Sequence, residues 1–166
     1  MTAESNLIFP SLIYLDEYNG DFHNFFNAVY AIFENDFINT RPYYQGIRVN
    51  VQKFPEVDRI HRTFYHITHE GEDEQNRSPD IRRMERIRYP KFIIEESTYS
   101  TNLLIWEKDI KNDTRIHILS ETERYLVVLT RRDNYLLLWT AFYIGQNHTL
   151  AKKRKEYDAY IKAKTA

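Results

Sequence analysis

With 166 residues, of which 42% are hydrophobic and 15% aromatic, the chain is long enough for one packed domain and too apolar for a disordered one. It has no cysteine, which excludes a disulfide scaffold and any cysteine-ligated zinc or iron–sulfur centre. The net charge of −1 hides an asymmetry. Residues 1–40 hold six acids and no Lys or Arg, whereas residues 41–166 hold all 23 basic residues against the other 18 of the 24 acids. A basic body behind an acidic leader suits local binding of a polyanion. Four Gly and five Pro are too few for a flexible linker, so 1–166 is expected to be a single domain, with 1–40 an acidic, aromatic, helical leader and 41–166 its basic core. No apolar run reaches bilayer length and "MTAESNLIFP" lacks a basic n-region, so a cytoplasmic protein with no membrane partner is expected.

In chain order, "DFHNFFNAVYAIFENDFIN" places Phe22, Phe25, Phe26, Val29, Ile32, Phe33 and Phe37 at steps of three and four. That spacing predicts an amphipathic helix over 21–35. In "GIRVNVQ" the alternation of Ile47, Val49 and Val51 predicts an extended stretch. Residues 63–68, "TFYHIT", alternate as a strand would, with His66 and Thr68 on one face and Tyr65, Ile67 and His69 on the other. The acidic run after it offers Glu70, Glu72, Asp73 and Glu74 as oxygen donors. The run lacks a calcium-loop pattern, so a solvated loop is expected and no metal is assigned.

"RSPDIRRMERIRYP" predicts a short helix with Ser78 as N-cap, Pro79 in the first position, Asp80 at the positive end and Pro90 as the stop. At helical spacing Ile81, Met84 and Ile87 share the side that would face a sheet. Arg82, Arg83 and Arg86 fall on the opposite and flanking side, with Arg77 and Lys91 extending the patch. Such a fork of guanidiniums suits phosphate, although a solvated face is the plain alternative for any one of them. Four stretches then predict an antiparallel meander: "NLLIW", "TRIHIL", "RYLVVLT" and "NYLLLWTAFYI". "EKDIKND", "SETE" and "RRDN" connect them, and the third, apolar on both faces, should be central. "HTLAKKRKEYDAYIKA" closes the chain as a basic helix, so the class is α+β.

For chemistry, His66 is a proton carrier near neutral pH, and Thr140 is a hydroxyl inside an apolar strand, where β propensity alone would also explain it. A Gly-rich phosphate loop, "HExxH", "GxSxG" and zinc spacings are all absent from the sequence, which points away from nucleotide hydrolases, zinc peptidases and serine esterases.

"HITHEGEDE", "RSPDIRRMERIRYPKFIIEE", "IWEKD", "RYLVVLTRRDNYLLLWTAFYI" and the closing "KKRKEYDAY", over roughly residues 20 to 160, resemble a family of phage and mobile-element proteins. That family is placed in the barnase–EndoU–colicin–RelE (BECR) nuclease superfamily. The resemblance implies N-terminal helices before a four-stranded antiparallel sheet and a nuclease-like core over 41–166. It also implies a metal-independent endoribonuclease, a hydrolase without cofactor, acting as a toxin or mobile-element effector on RNA and restrained by a protein antitoxin or immunity partner. Carried onto this chain, the implied catalytic residues are His66, Arg83, Arg86 and Thr140, with His69 in reserve. Arg82, Lys91, Trp106 and Tyr143 stand on the substrate side. The family pattern has a Tyr-Pro pair after Thr-Ala where this chain has Phe142 and Tyr143. Two alternatives stay open: a non-catalytic RNA-binding or protein-interaction module of the same fold, and a DNA-modifying or metal-dependent nuclease using the acidic loop.

Overall fold

Steps of three and four in the leader do give a helix. In the computed structural model, which describes residues 7–73 and 76–165, α1 (Phe22–Glu34) starts from Asp21, whose carboxylate accepts the backbone N–H of Asn24 at 3.1 Å. Phe25, Val29 and Phe33 form its buried stripe, and one wider turn, Asn35–Asn39, adds Phe37. Glu74 of the acidic run lies outside the described residues.

After α1 come β1 (Tyr43–Tyr44), β2 (Ile47–Asn50), α2 (Arg62–Thr68), β3 (His69–Glu70) and β4 (Ser78–Pro79). Next are α3 (Ile81–Glu85) and α4 (Tyr89–Glu96). Strands β5 (Leu104–Ile110), β6 (Asp113–Ser120), β7 (Tyr125–Arg131) and β8 (Leu136–Tyr143) follow, and α5 (Asn147–Thr165) ends the chain. The class is α+β. The four consecutive antiparallel strands are only part of a six-stranded sheet ordered β1-β2-β8-β7-β6-β5. That sheet is mixed, because β2 joins β8 in parallel through Val49 beside Leu136 and Asn50 beside Leu137. β7 is interior and buried from Tyr125 to Thr130, as its two-faced apolar sequence requires.

Four local expectations are corrected. Residues 63–68 are helical, not extended, because six residues, fewer than two helical turns, are too few to separate a helical period from a strand's alternation. The helix is held at its end by Thr68, whose Oγ1 donates to the Phe64 carbonyl at 2.7 Å. Ser78 and Pro79 do not cap α3: they pair as β4 with His69 and Glu70, and Asp80 is the N-cap, accepting from the Arg83 N–H at 3.2 Å. Pro90 does not stop a helix either. α3 has ended at Glu85, and Pro90 occupies the first turn of α4, where its missing N–H costs nothing. Most of "EKDIKND" belongs to the β5–β6 ladder, and the reversal is only Lys111 and Asn112, with φ of 49° and 70°.

The sheet has unequal covers. Phe25, Val29 and Phe33 of α1 share one buried cluster with Phe64 and Ile67 of α2, Met84 of α3, Ile93 and Ile94 of α4, and Ile116, Val127 and Leu138 of the sheet. Residues 13–37 of the acidic part therefore pack into the same core as the basic part. The second cluster is small: Trp106, Leu119, Leu126, Val128 and Ile144, under Leu150, Tyr157 and Tyr160 of α5. Among the described residues no helix is long and apolar enough to cross a membrane.

Candidate active site

Helical geometry reassigns the neighbours of His66. Thr63, Phe64, Tyr65, Ile67 and Thr68 are the buried residues of α2, and the outer arc carries Arg62 and His66, four residues apart and so neighbours on the helix surface. Both line a cleft of about 300 Å³ with Gln52, Pro55, Thr63, Leu138 and Trp139. The segment after β2 is fastened to the start of α2. The Gln52 N–H donates to Thr63 Oγ1 at 2.8 Å, the Thr63 N–H to the Gln52 carbonyl at 3.0 Å, and the Arg62 N–H to the Lys53 carbonyl at 3.1 Å.

The opposite wall comes from an irregularity in β8. Val128 pairs with Thr140 and Leu129 with Leu138, so Trp139 is the extra residue of a β-bulge. Its ring is 37% exposed, and the Arg115 guanidinium lies 4.6 Å from the ring centroid. β2 pairs with β8 only as far as Leu137. Beyond it α2 packs along β8, which places His66 against this stretch of the strand.

The arginines expected to face phosphate are used otherwise. Arg83 has a side chain only 17% exposed, ion-paired to Asp80 at 3.2 Å. Its guanidinium donates to the His69 carbonyl at 2.8 Å and the His66 carbonyl at 3.4 Å. Arg77 donates to the same two carbonyls, at 3.3 and 3.4 Å. Two cations thus satisfy the C-terminal carbonyls of α2 at its negative dipole end, and burial holds the Arg83 pKa below its ordinary value. Arg86, 15% exposed, lies 4.1 Å from the Tyr143 ring centroid and 3.6 Å from the buried Glu85 carboxylate. Arg83 and Arg86 flank the fully buried Tyr125, whose hydroxyl pKa burial raises although both cations pull it down. Neither arginine lines the cleft with His66.

The other expected residues scatter. Arg82 is exposed, with its guanidinium on Glu85 at 3.1 Å. Lys91 reaches Thr40 Oγ1 at 3.0 Å and lines a separate cavity with Asp36, Arg88 and Glu95. Trp106 is 1% exposed and stacked on His117 at 4.9 Å under α5, so its indole offers no face to a base. Tyr143 is covered by Arg86. Thr140 is half-buried on β8 beside Val128 and does not line the cleft. His69 is buried, its Nδ1 3.0 Å from Thr68 Oγ1 and its ring stacked on Tyr65 at 4.5 Å. Burial, with Arg77 and Arg83 nearby, holds its pKa below the usual histidine value. Among the described residues no three His, Asp or Glu side chains converge as a metal site.

Arg62, Gln52 and Trp139 are therefore cleft residues that strand-based reading of 63–68 misses. The signal for Arg62 is the R-x-x-x-H spacing, which has meaning only on a helix. No protein-family model, curated protein or solved structure matches the chain.

Proposed function

We propose that the protein is a metal-independent endoribonuclease whose reaction centre is the α2–β8 cleft. The observation that carries this is the pairing of Arg62 with His66 on one face of α2, opening on a cleft rimmed by Trp139. In this reading His66 removes the proton of a ribose 2′-OH and the freed oxygen attacks the adjacent phosphorus. The P–O5′ bond breaks, leaving a 2′,3′-cyclic phosphate on one product and a 5′-OH on the other. The departing O5′ takes its proton from the imidazolium or from water. Arg62 lies beside the phosphate and balances the charge that grows on it. Arg77 and Arg83 hold the end of α2 and so position His66 without touching substrate. Trp139 stacks a flanking base. Absence of the 2′-OH makes DNA a non-substrate.

The likeness to BECR nucleases supports the same reading through the order of its helices and antiparallel strands. It extends the proposal to a cytoplasmic toxin or mobile-element effector with a protein antitoxin or immunity partner. One observation favours a second reading, RNA binding without cleavage: Arg83 and Arg86 are engaged internally, so the cleft brings Arg62 rather than a cluster of arginines to His66.

Incubating single-stranded RNA with the protein in EDTA separates the two. Cleavage should proceed, and His66→Ala should slow it by roughly 10²–10⁴-fold while the circular dichroism of the fold is retained. Salt-dependent RNA binding with no cut product would leave the binding reading. Cleavage only with a divalent cation would sink the scheme.

A further inference from the structure

A second cavity, of about 320 Å³, adjoins the other flank of α2. Its walls are Phe22, His23 and Phe26 of α1, Tyr65 and His69 at the end of α2, Ile60, Pro79, and the rim residue Asp58. We propose that it holds a nucleobase of the RNA whose phosphate lies at Arg62 and His66. This rests on the RNA-binding part of the functional reading, not on cleavage.

The cavity matches a flat heterocycle in shape. Phe22 and Phe26 have ring centroids 6.1 Å apart, Phe26 meets His69 edge-on at 6.4 Å, and Tyr65 stacks on His69 at 4.5 Å. Five rings around one small space, His23 among them, offer faces and edges to a planar guest, and its volume lies at the small end of ligand pockets, roughly 300–1,000 Å³. Asp58 supplies an acceptor for ring N–H groups at the rim. It sits in a two-residue reversal closed by Val57 and Ile60, whose N–H and carbonyl groups bond reciprocally at 3.1 and 2.9 Å. Asp58 and Arg59 both have positive φ, 49° and 69°. Asp tolerates that conformation and Arg does not favour it, so the fold accepts strain here while holding the Asp58 carboxylate at the cavity.

Charge selects against the competing guest for an aromatic box, an organic cation. Arg77 and Arg83 both donate to the His69 carbonyl and, after burial, their charge helps hold the His69 pKa down, so the His69 end of the cavity disfavours a further cation. A neutral ring that stacks on the aromatic walls and turns its N–H edge to Asp58 fits both ends.

Position ties this cavity to the cleft. At 100° per residue, Tyr65 is turned only about 60° from Arg62 around α2, so the two recesses flank one ridge of the helix. Residues three apart on a helix have Cβ atoms about 5–6 Å apart. A single nucleotide therefore spans from a phosphate at Arg62 and His66 to a base beside Tyr65 and His69.

The test is an NMR titration of the full chain with the four nucleoside monophosphates and with ribose 5-phosphate, following the ring signals of Phe22, Tyr65, His66 and His69. At least one nucleotide should shift Phe22, Tyr65 and His69, whereas ribose 5-phosphate should shift His66 alone. Phe22→Ala, at a ring 40% exposed, should weaken that nucleotide about tenfold or more and leave ribose 5-phosphate unchanged. Asp58→Asn should weaken it as well, by removing the charged acceptor. Nucleotides that shift only the signals ribose 5-phosphate shifts would overturn the proposal. So would unchanged nucleotide affinity in a folded Phe22→Ala protein. Base-dependent shifts without RNA cleavage would sink catalysis and leave this cavity standing, and cleavage without shifts at the cavity would do the reverse.

Discussion

The two faces of the sheet solve the same packing problem differently. The face under α1 to α4 is closed by interlocking rings: Phe64 meets Phe26 at 5.5 Å, Tyr30 at 4.8 Å and Phe33 at 5.3 Å. The face under α5 has five buried apolar residues, and the helix has none that is fully buried. α5 is instead tied by ion pairs at its surface, Glu156 to Lys108 at 3.2 Å and Arg154 to Glu121 at 2.6 Å. Exposed pairs of that kind add little stability. The face carrying the cleft is the more densely packed one, so His66 and Arg62 stand on a well-packed platform.

Truncating the ring cluster tests that contrast with the largest expected effect. Phe64→Ala removes a fully buried ring from the centre of the cluster and should cost about 3–5 kcal/mol, read as a lower denaturant midpoint. A cost near 1 kcal/mol would mean that the clefted face is no better packed than the α5 face.

The α5 face should reveal itself through pH. Burial, followed by the positive charge of Lys153, lowers the His117 pKa to about 4, while Glu156 and the Arg115 backbone oppose the shift. Because the folded value is depressed below the unfolded value of about 6.5, the unfolded chain binds the extra proton between the two. Stability is thus full above pH 6.5, falls as pH drops, and levels off below about 4, by roughly 3 kcal/mol. His117→Phe keeps a ring on Trp106 and should remove that part of the pH dependence. Parallel stability-versus-pH curves for the two proteins would show that His117 is not buried neutral.

Both features bear on how far the sequence speaks. α1, the interior β7 and the closing α5 are legible because each repeats one period over many residues: 3.6 in α1, unbroken apolarity in β7, a long polar helix at the end. α2 is not, because seven residues contain too few repeats to separate a helix from a strand. What decides it is tertiary: the carbonyls at its end meet Arg77 and Arg83 from 8 to 17 positions away in the chain. The same fact explains the site. Reading His66 on a strand hides Arg62, and reading Arg83 on an exposed helix face hides its bonds to the α2 carbonyls. The bulge that turns Trp139 to the cleft has no local signature either, since "LLLWTAF" would suit an unbroken strand.

Arg83 offers the next smaller test of the platform. Arg83→Met keeps much of the buried stem but leaves the His66 and His69 carbonyls to Arg77 alone, at a cost of about 1.5–3 kcal/mol. If the proposed reaction is right, cleavage should fall with it through kcat more than KM, because His66 loses its anchor while Arg62 keeps its place in the cleft. Unchanged stability with lost RNA affinity would place Arg83 on the substrate after all.

His66 itself should show the smallest structural effect. Its side chain faces the cleft from the outer arc of α2, and its backbone carbonyl, which Arg77 and Arg83 hold, survives any substitution. His66→Gln should therefore change stability by no more than about 0.5 kcal/mol, measured by thermal or denaturant unfolding at neutral pH. A residue that packs for structure cannot be replaced so cheaply, whereas one kept for proton transfer can. A loss of 2 kcal/mol or more would make His66 part of the platform and move the search for the base to another side chain in the cleft.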